Sequence, residues 1–127
     1  MNHFLLVAAG GALGAGLRHG VGLLTLRHLP AGWPWGTFTV NILGSFAMGL
    51  LVGWLALKAE GAGQGTRLFL ATGLLGGFTT FSAFSLETMN LIRTGETAKA
   101  LAYVGLSVLL GVAALGLGLW LTRKGFA

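Results

Sequence analysis

The sequence predicts an all-α integral membrane protein, four transmembrane helices in a single domain of residues 1–127, with the third helix broken near its middle. Three observations carry that prediction. Hydrophobic residues make up 54% of the 127 positions and charged residues 9%, and the mean hydropathy is +0.81, outside the range of soluble domains. Apolar stretches at about 4–26, 37–57, 67–92 and 98–121 each reach the roughly 20 residues that a helix needs to cross about 30 Å of hydrocarbon. Finally, "GGFTTFSAFSLE" at 76–87 puts glycines, hydroxyls and a glutamate where lipid-facing residues are expected.

The first span starts directly after "MNHF" with no basic n-region, so it is read as retained rather than cleaved. Its second half carries Arg18 beside His19. The guanidinium either snorkels along its stem to the interface or raises the local anion concentration at a pore mouth. The connection "RHLPAGWPWG", with both prolines, leads to the second span, where Thr37, Asn41 and Ser45 recur every four residues on one helical face. An amide in mid-bilayer is costly unless hydrogen-bonded. Asn41 is therefore either packing glue worth on the order of 1 kcal/mol or a polar group on a path.

After "KAEGAGQGTR", the third span places Gly76 and Gly77 just before Thr79 and Thr80. A discontinuous helix there exposes backbone polar groups, which is tolerated only in a protein interior or beside a watery cavity. Such helix ends commonly coordinate an ion through their carbonyls. Beyond that point Phe81 and Phe84 are accompanied by Ser82 and Ser85. A phenyl edge is electropositive, so ring edges and hydroxyl hydrogens together can partner a small anion without a fixed charge. The plainer reading makes Phe78, Phe81 and Phe84 core or lipid-facing aromatics. The fourth span follows "RTGETAK" and sets Tyr103, Ser107 and Gly111 on one face.

Glycine pairs at four-residue spacing, Gly10 with Gly14, Gly16 with Gly20, Gly49 with Gly53 and Gly73 with Gly77, predict close helix crossings. Trp33, Trp35, Trp54 and Trp120 fall near span ends, at headgroup level. Four short helices leave little room for a large internal cavity, so a substrate path is expected between subunits.

The net charge of +5 is spread over single Lys and Arg residues without a basic stripe, which fits membrane flanks rather than nucleic acid. Arg27, Arg93 and Lys99 flank the spans on one side, Lys58, Arg67, Arg123 and Lys124 on the other, and Arg18 evens the balance. Flanking charge therefore sets no direction, leaving either one orientation it does not reveal or insertion both ways to build an antiparallel dimer. Cysteine is absent, which excludes disulfides and Cys-ligated metals. Glu60, Glu87 and Glu96 form no carboxylate pair, and His3, His19 and His28 lack metal-ligand spacing. No enzyme is expected.

The segments "GGALGAGLRHG", "GTFTVNILGSFAMG" and "GLLGGFTTFSAFSLE" together resemble the small fluoride channel family of the Fluc type, over three of the four spans. That resemblance implies a fluoride-selective channel in the inner (plasma) membrane that lets fluoride leave passively after hydrogen fluoride has entered uncharged. It further implies an antiparallel homodimer with two pores along the subunit interface and a structural Na⁺ at its centre. Carried over, Asn41 donates to fluoride, Phe81 and Phe84 line the pores by their edges, and the carbonyls of Gly76 and Thr79 hold Na⁺. Arg18, Thr37, Thr80, Ser82, Ser85, Glu87 and Ser107 complete the expected pathway. His19, Ala83 and Gly111 depart from the family pattern. The main rival, a dual-topology exchanger of the small multidrug type, wants an acidic residue deep in the first span, and none is present. A purely structural subunit leaves Asn41 and the hydroxyl cluster unexplained.

Overall fold

A computed structural model describes residues 2–58 and 63–125, and no strand occurs among them. The connection around Glu60 lies outside the described residues. Helices α1 (His3–His28) and α2 (Trp35–Lys58) are continuous. The third span is assembled from α3 (Gln64–Arg67), a π-helical stretch at Leu68–Leu75, α4 (Gly76–Phe78) and α5 (Phe81–Arg93), and α6 (Thr97–Gly125) closes the chain. Four spans among the described residues are long and apolar enough to cross a membrane. Each contains its expected stretch and runs slightly beyond it.

The helix ends follow from local chemistry. Asn2 Oδ1 accepts from the Phe4 N–H at 2.8 Å and caps α1. α1 stops at Leu29, whose extended backbone is what the following Pro30 demands. Gly32 and Gly95 turn the chain with positive φ, a conformation open to glycine without penalty.

Packing is a matter of missing side chains. α1 lies along the π-helical stretch and α4, and α2 lies along α6. A Cβ on Gly10 would stand 2.5 Å from the Phe69 carbonyl oxygen, one on Gly14 would run into the Leu74 carbonyl, and one on Gly77 would stand 2.6 Å from that of Gly11. On the other flank Gly49 faces the Leu115 carbonyl and Gly53 receives the Thr122 side chain. Thr122 is 1% exposed, and its hydroxyl donates back to the Gly118 carbonyl at 3.1 Å, so the close approach leaves no unpaired polar atom. Of the expected glycine pairs, Gly16 with Gly20 has nothing within 4 Å among the described residues and faces outward.

Few side chains are enclosed by the single chain: Val40, Leu55, Ala100 and Tyr103 form its apolar core. Large apolar residues such as Phe4, Leu101 and Val112 lie on the outside. In water such a surface marks an interaction face. Among lipid tails it carries no penalty, and van der Waals contact at small residues is what joins the helices.

Candidate ion pathway

The residues between α4 and α5 adopt an extended backbone, Thr79 with φ −89° and ψ 161° and Thr80 with φ −152° and ψ 124°. Glycines weaken the helix before this pair, and β-branched threonines favour extended dihedrals within it. Asn41 on α2 clamps the pair from the side. Its Oδ1 accepts from the Thr80 N–H at 2.8 Å, and its Nδ2 donates to the Thr80 carbonyl at 3.0 Å. One amide hydrogen of Asn41 stays free of that clamp. In addition, Thr80 Oγ1 accepts from the Ala83 N–H at 3.2 Å, capping α5.

Two carbonyls lose their helical partners as a result. In a continuous helix, Gly76 would accept from the Thr80 N–H and Thr79 from the Ala83 N–H. Both donors point instead at the Asn41 and Thr80 side chains. The neighbouring Gly77 carbonyl accepts from Arg18 Nε at 3.2 Å. Arg18 is therefore half-buried and tethers α1 to α4, rather than only snorkelling outward.

Two clefts flank this point. One, of about 420 Å³, is lined by Asn41 and Ser45 from α2, by Thr79, Thr80, Phe81 and Phe84, and by Ser107 and Gly111 from α6. No ionisable side chain lines it among the described residues. The Ser107 hydroxyl oxygen is buried and has no hydrogen-bond partner among the described residues. Phe84 is partly enclosed, while Phe81 is 78% exposed with its ring centroid 5.8 Å from that of Phe84.

The other cleft, of about 710 Å³, opens between the second half of α1, the α1–α2 connection and the third span. Arg18, His19, Thr37 and Glu87 line it, and Thr80 lines both clefts. Tyr103 is fully buried behind it and donates from its hydroxyl to Glu87 Oε1 at 3.1 Å. The Tyr103 ring packs 5.1 Å from Phe84 and meets Trp33 edge-on at 5.5 Å and 90°. Edge-to-face contacts of this kind are favoured by the ring quadrupoles. Trp33 and Trp35, expected at headgroup level, fold over this cleft with both indole nitrogens buried.

The expected residues are thus brought together around Thr80, with two exceptions. Ser82 is exposed and reaches the site only through its hydroxyl, 3.3 Å from Thr80 Oγ1. Ser85 is half-buried and lines neither cleft. Gly76 contributes backbone alone. Tyr103 was absent from the expected pathway, although the chain's single tyrosine in an apolar helix, one turn before Ser107, was a usable signal. The π-helical stretch had no signal in composition or spacing. Widened turns of this kind often accompany functional sites.

Comparison with known proteins gives a consistent picture. The family model described as "CrcB-like protein, Camphor Resistance (CrcB)" matches residues 5–119. A protein of Hyphomonas neptunium (strain ATCC 15444) named "Fluoride-specific ion channel FluC" is 72% identical over 127 residues, covering 100% of both chains. Proteins of the same name from Phenylobacterium zucineum (strain HLK1) and Caulobacter vibrioides (strain NA1000 / CB15N) are 56% identical over 128 residues and 50% identical over 127, again across 100% of each chain.

Proposed function

The chain belongs to the CrcB-like family, and from that premise we propose that it conducts fluoride passively across the cell membrane, as a multi-pass channel with two pores at the interface of an antiparallel homodimer. Its relatives are ion channels, not enzymes. The observation that carries the reading is the uncharged cleft. It offers an unpaired serine hydroxyl, a spare amide hydrogen and two phenyl rings, and no lysine or arginine.

Fluoride is small and holds its water tightly, so a pore must replace that water with donors yet bind weakly enough at each site for the ion to leave. A buried cation would hold it too well. Ser107, the free hydrogen of Asn41 and the electropositive edges of Phe81 and Phe84 supply neutral or partial positive charge instead. The outward exposure of Phe81 supports a second copy closing the cleft, because a path open on one side to lipid gives an ion no escort. The balanced flanking charges support insertion both ways.

The extended pair at Thr79 and Thr80 serves this design as a functional interruption of the third span. The residues fit Na⁺: the carbonyls of Gly76 and Thr79, released from helical bonding, are hard oxygen donors of the type that such cations take. Two carbonyls per chain would leave the ion short of ligands, so a second copy would have to contribute its own pair. The ion would supply positive charge there to offset the dipoles of the carbonyls that hold it. Asn41 and Thr80 keep those carbonyls aimed by holding the competing N–H groups.

The test is fluoride efflux from vesicles loaded with potassium fluoride and measured by electrode. Fast, proton-independent release that excludes chloride is expected; proton-coupled release would favour an exchanger, and no release would overturn the channel. Ser107→Ala is expected to slow release about tenfold, the worth of one donor at roughly 1.4 kcal/mol. Thermal stability should stay unchanged, since the hydroxyl pairs with nothing among the described residues. Wild-type flux in Ser107→Ala would remove that residue from the path.

A further inference from the structure

His19 is exposed and lines the larger cleft next to Arg18, apart from the uncharged cleft that carries the fluoride path. Arg18 is held in place by its bond to the Gly77 carbonyl, and both side chains line the cavity. That cavity reaches Thr80, the residue common to both clefts. An ionisable group inside a span is costly unless it faces a watery cavity, and this is the cavity that His19 faces.

The surrounding charges are few. The π-helical stretch and α4, packed on α1, carry no titratable side chain, and neither does α2 along its described side chains. Glu87 on α5 is the acid lining the cavity, and the Tyr103 hydroxyl engages it. Lys99, near Gly32 at the rim, pairs with Glu96. Arg27 and His28 lie farther along α1 and do not line the cavity. Arginine keeps its charge, whereas an imidazole changes charge between about pH 5 and 8.

Resting on the fluoride channel reading, we propose that His19 is a positioning residue for the entering anion. Protonated, it adds a second positive charge beside Arg18 and raises the concentration of a small hydrated anion in the cavity that leads to Thr80. Neutral, it leaves Arg18 to do this alone. Conduction at low fluoride therefore rises as the pH falls.

Single-channel current in planar bilayers, with subsaturating fluoride and equal pH on both sides, tests this independently of orientation. Conductance should rise about two- to threefold from pH 8 to pH 5.5, the Boltzmann factor of one extra charge several ångströms away in water. The rise should shrink when an impermeant salt near 1 M shortens the Debye length to about 3 Å. His19→Gln should give a flat profile at the high-pH level, and His19→Lys a flat profile at the low-pH level. Glu87→Gln should keep the wild-type ratio whatever its absolute conductance. A flat wild-type profile, or an undiminished ratio in His19→Gln, overturns the proposal alone. Absence of any fluoride current overturns the channel reading together with it.

Discussion

Asn41→Asp is expected to abolish fluoride efflux while the protein still reaches the membrane. The wild-type amide both accepts from the Thr80 N–H and donates to the Thr80 carbonyl. An ionised carboxylate has no hydrogen to donate, so it keeps the first bond and turns an acceptor toward the second. It also places a negative charge beside the path of an anion. Like charges brought together cost several kcal/mol, which at 1.4 kcal/mol per factor of ten means a loss of about 100-fold or more. Asn41→Ala separates the two contributions, because it removes the clamp on Thr80 without adding charge. It should reduce flux less than Asn41→Asp and lower thermal stability by about 1–3 kcal/mol, the cost of leaving part-buried backbone groups unpaired. Equal flux from wild type and Asn41→Asp in the electrode assay would take Asn41 off the path.

Gly14→Ala is expected to be the most disruptive small substitution in the chain. In an exposed helix interior, replacing Gly by Ala gains about 1 kcal/mol of helix propensity. At position 14 that gain is overwhelmed, because the new Cβ would run into the Leu74 carbonyl and stand 2.8 Å from the Phe78 nitrogen. Both are backbone atoms in a span that rests on α1 along much of its length, so relief requires the helices to separate. Overpacking costs about 1–3 kcal/mol where side chains can adjust, and more is expected here. Gly16→Ala, two residues away with nothing within 4 Å, is the control. Heating in detergent followed by size exclusion should show Gly14→Ala aggregating well below wild type and Gly16→Ala at or above it. Similar profiles for the two variants would refute the crossing geometry. If the outward face of Gly16 and Gly20 meets a second copy, Gly16→Ala should alter the dimer fraction instead.

Much of this protein was legible in its residues. Four spans follow from apolar length alone, because the bilayer sets a fixed thickness for a helix to cross. The tight crossings at Gly10 with Gly14, Gly73 with Gly77 and Gly49 with Gly53 follow from four-residue spacing. The polar face of Thr37, Asn41 and Ser45 and the hydroxyls around Phe81 were visible because polar groups stand out against lipid. Relatives of 72% and 50% identity over the full length agree with the family that those motifs resemble.

Spacing along the chain reports which residues share a helix face, but not which face meets which. Only the tertiary structure decided that Gly16 and Gly20 face outward, that Ser85 lines neither cleft, and that Trp33 folds inward onto Tyr103. It likewise decided that Asn41 makes two hydrogen bonds to one target, a bidentate hold on Thr80 that takes the N–H the Gly76 carbonyl would otherwise receive, while Thr80 Oγ1 takes the Ala83 N–H from the Thr79 carbonyl. Local composition sets where a helix is weak. Which backbone groups are released there depends on partners 39 residues away, brought close by helix packing that no local pattern encodes.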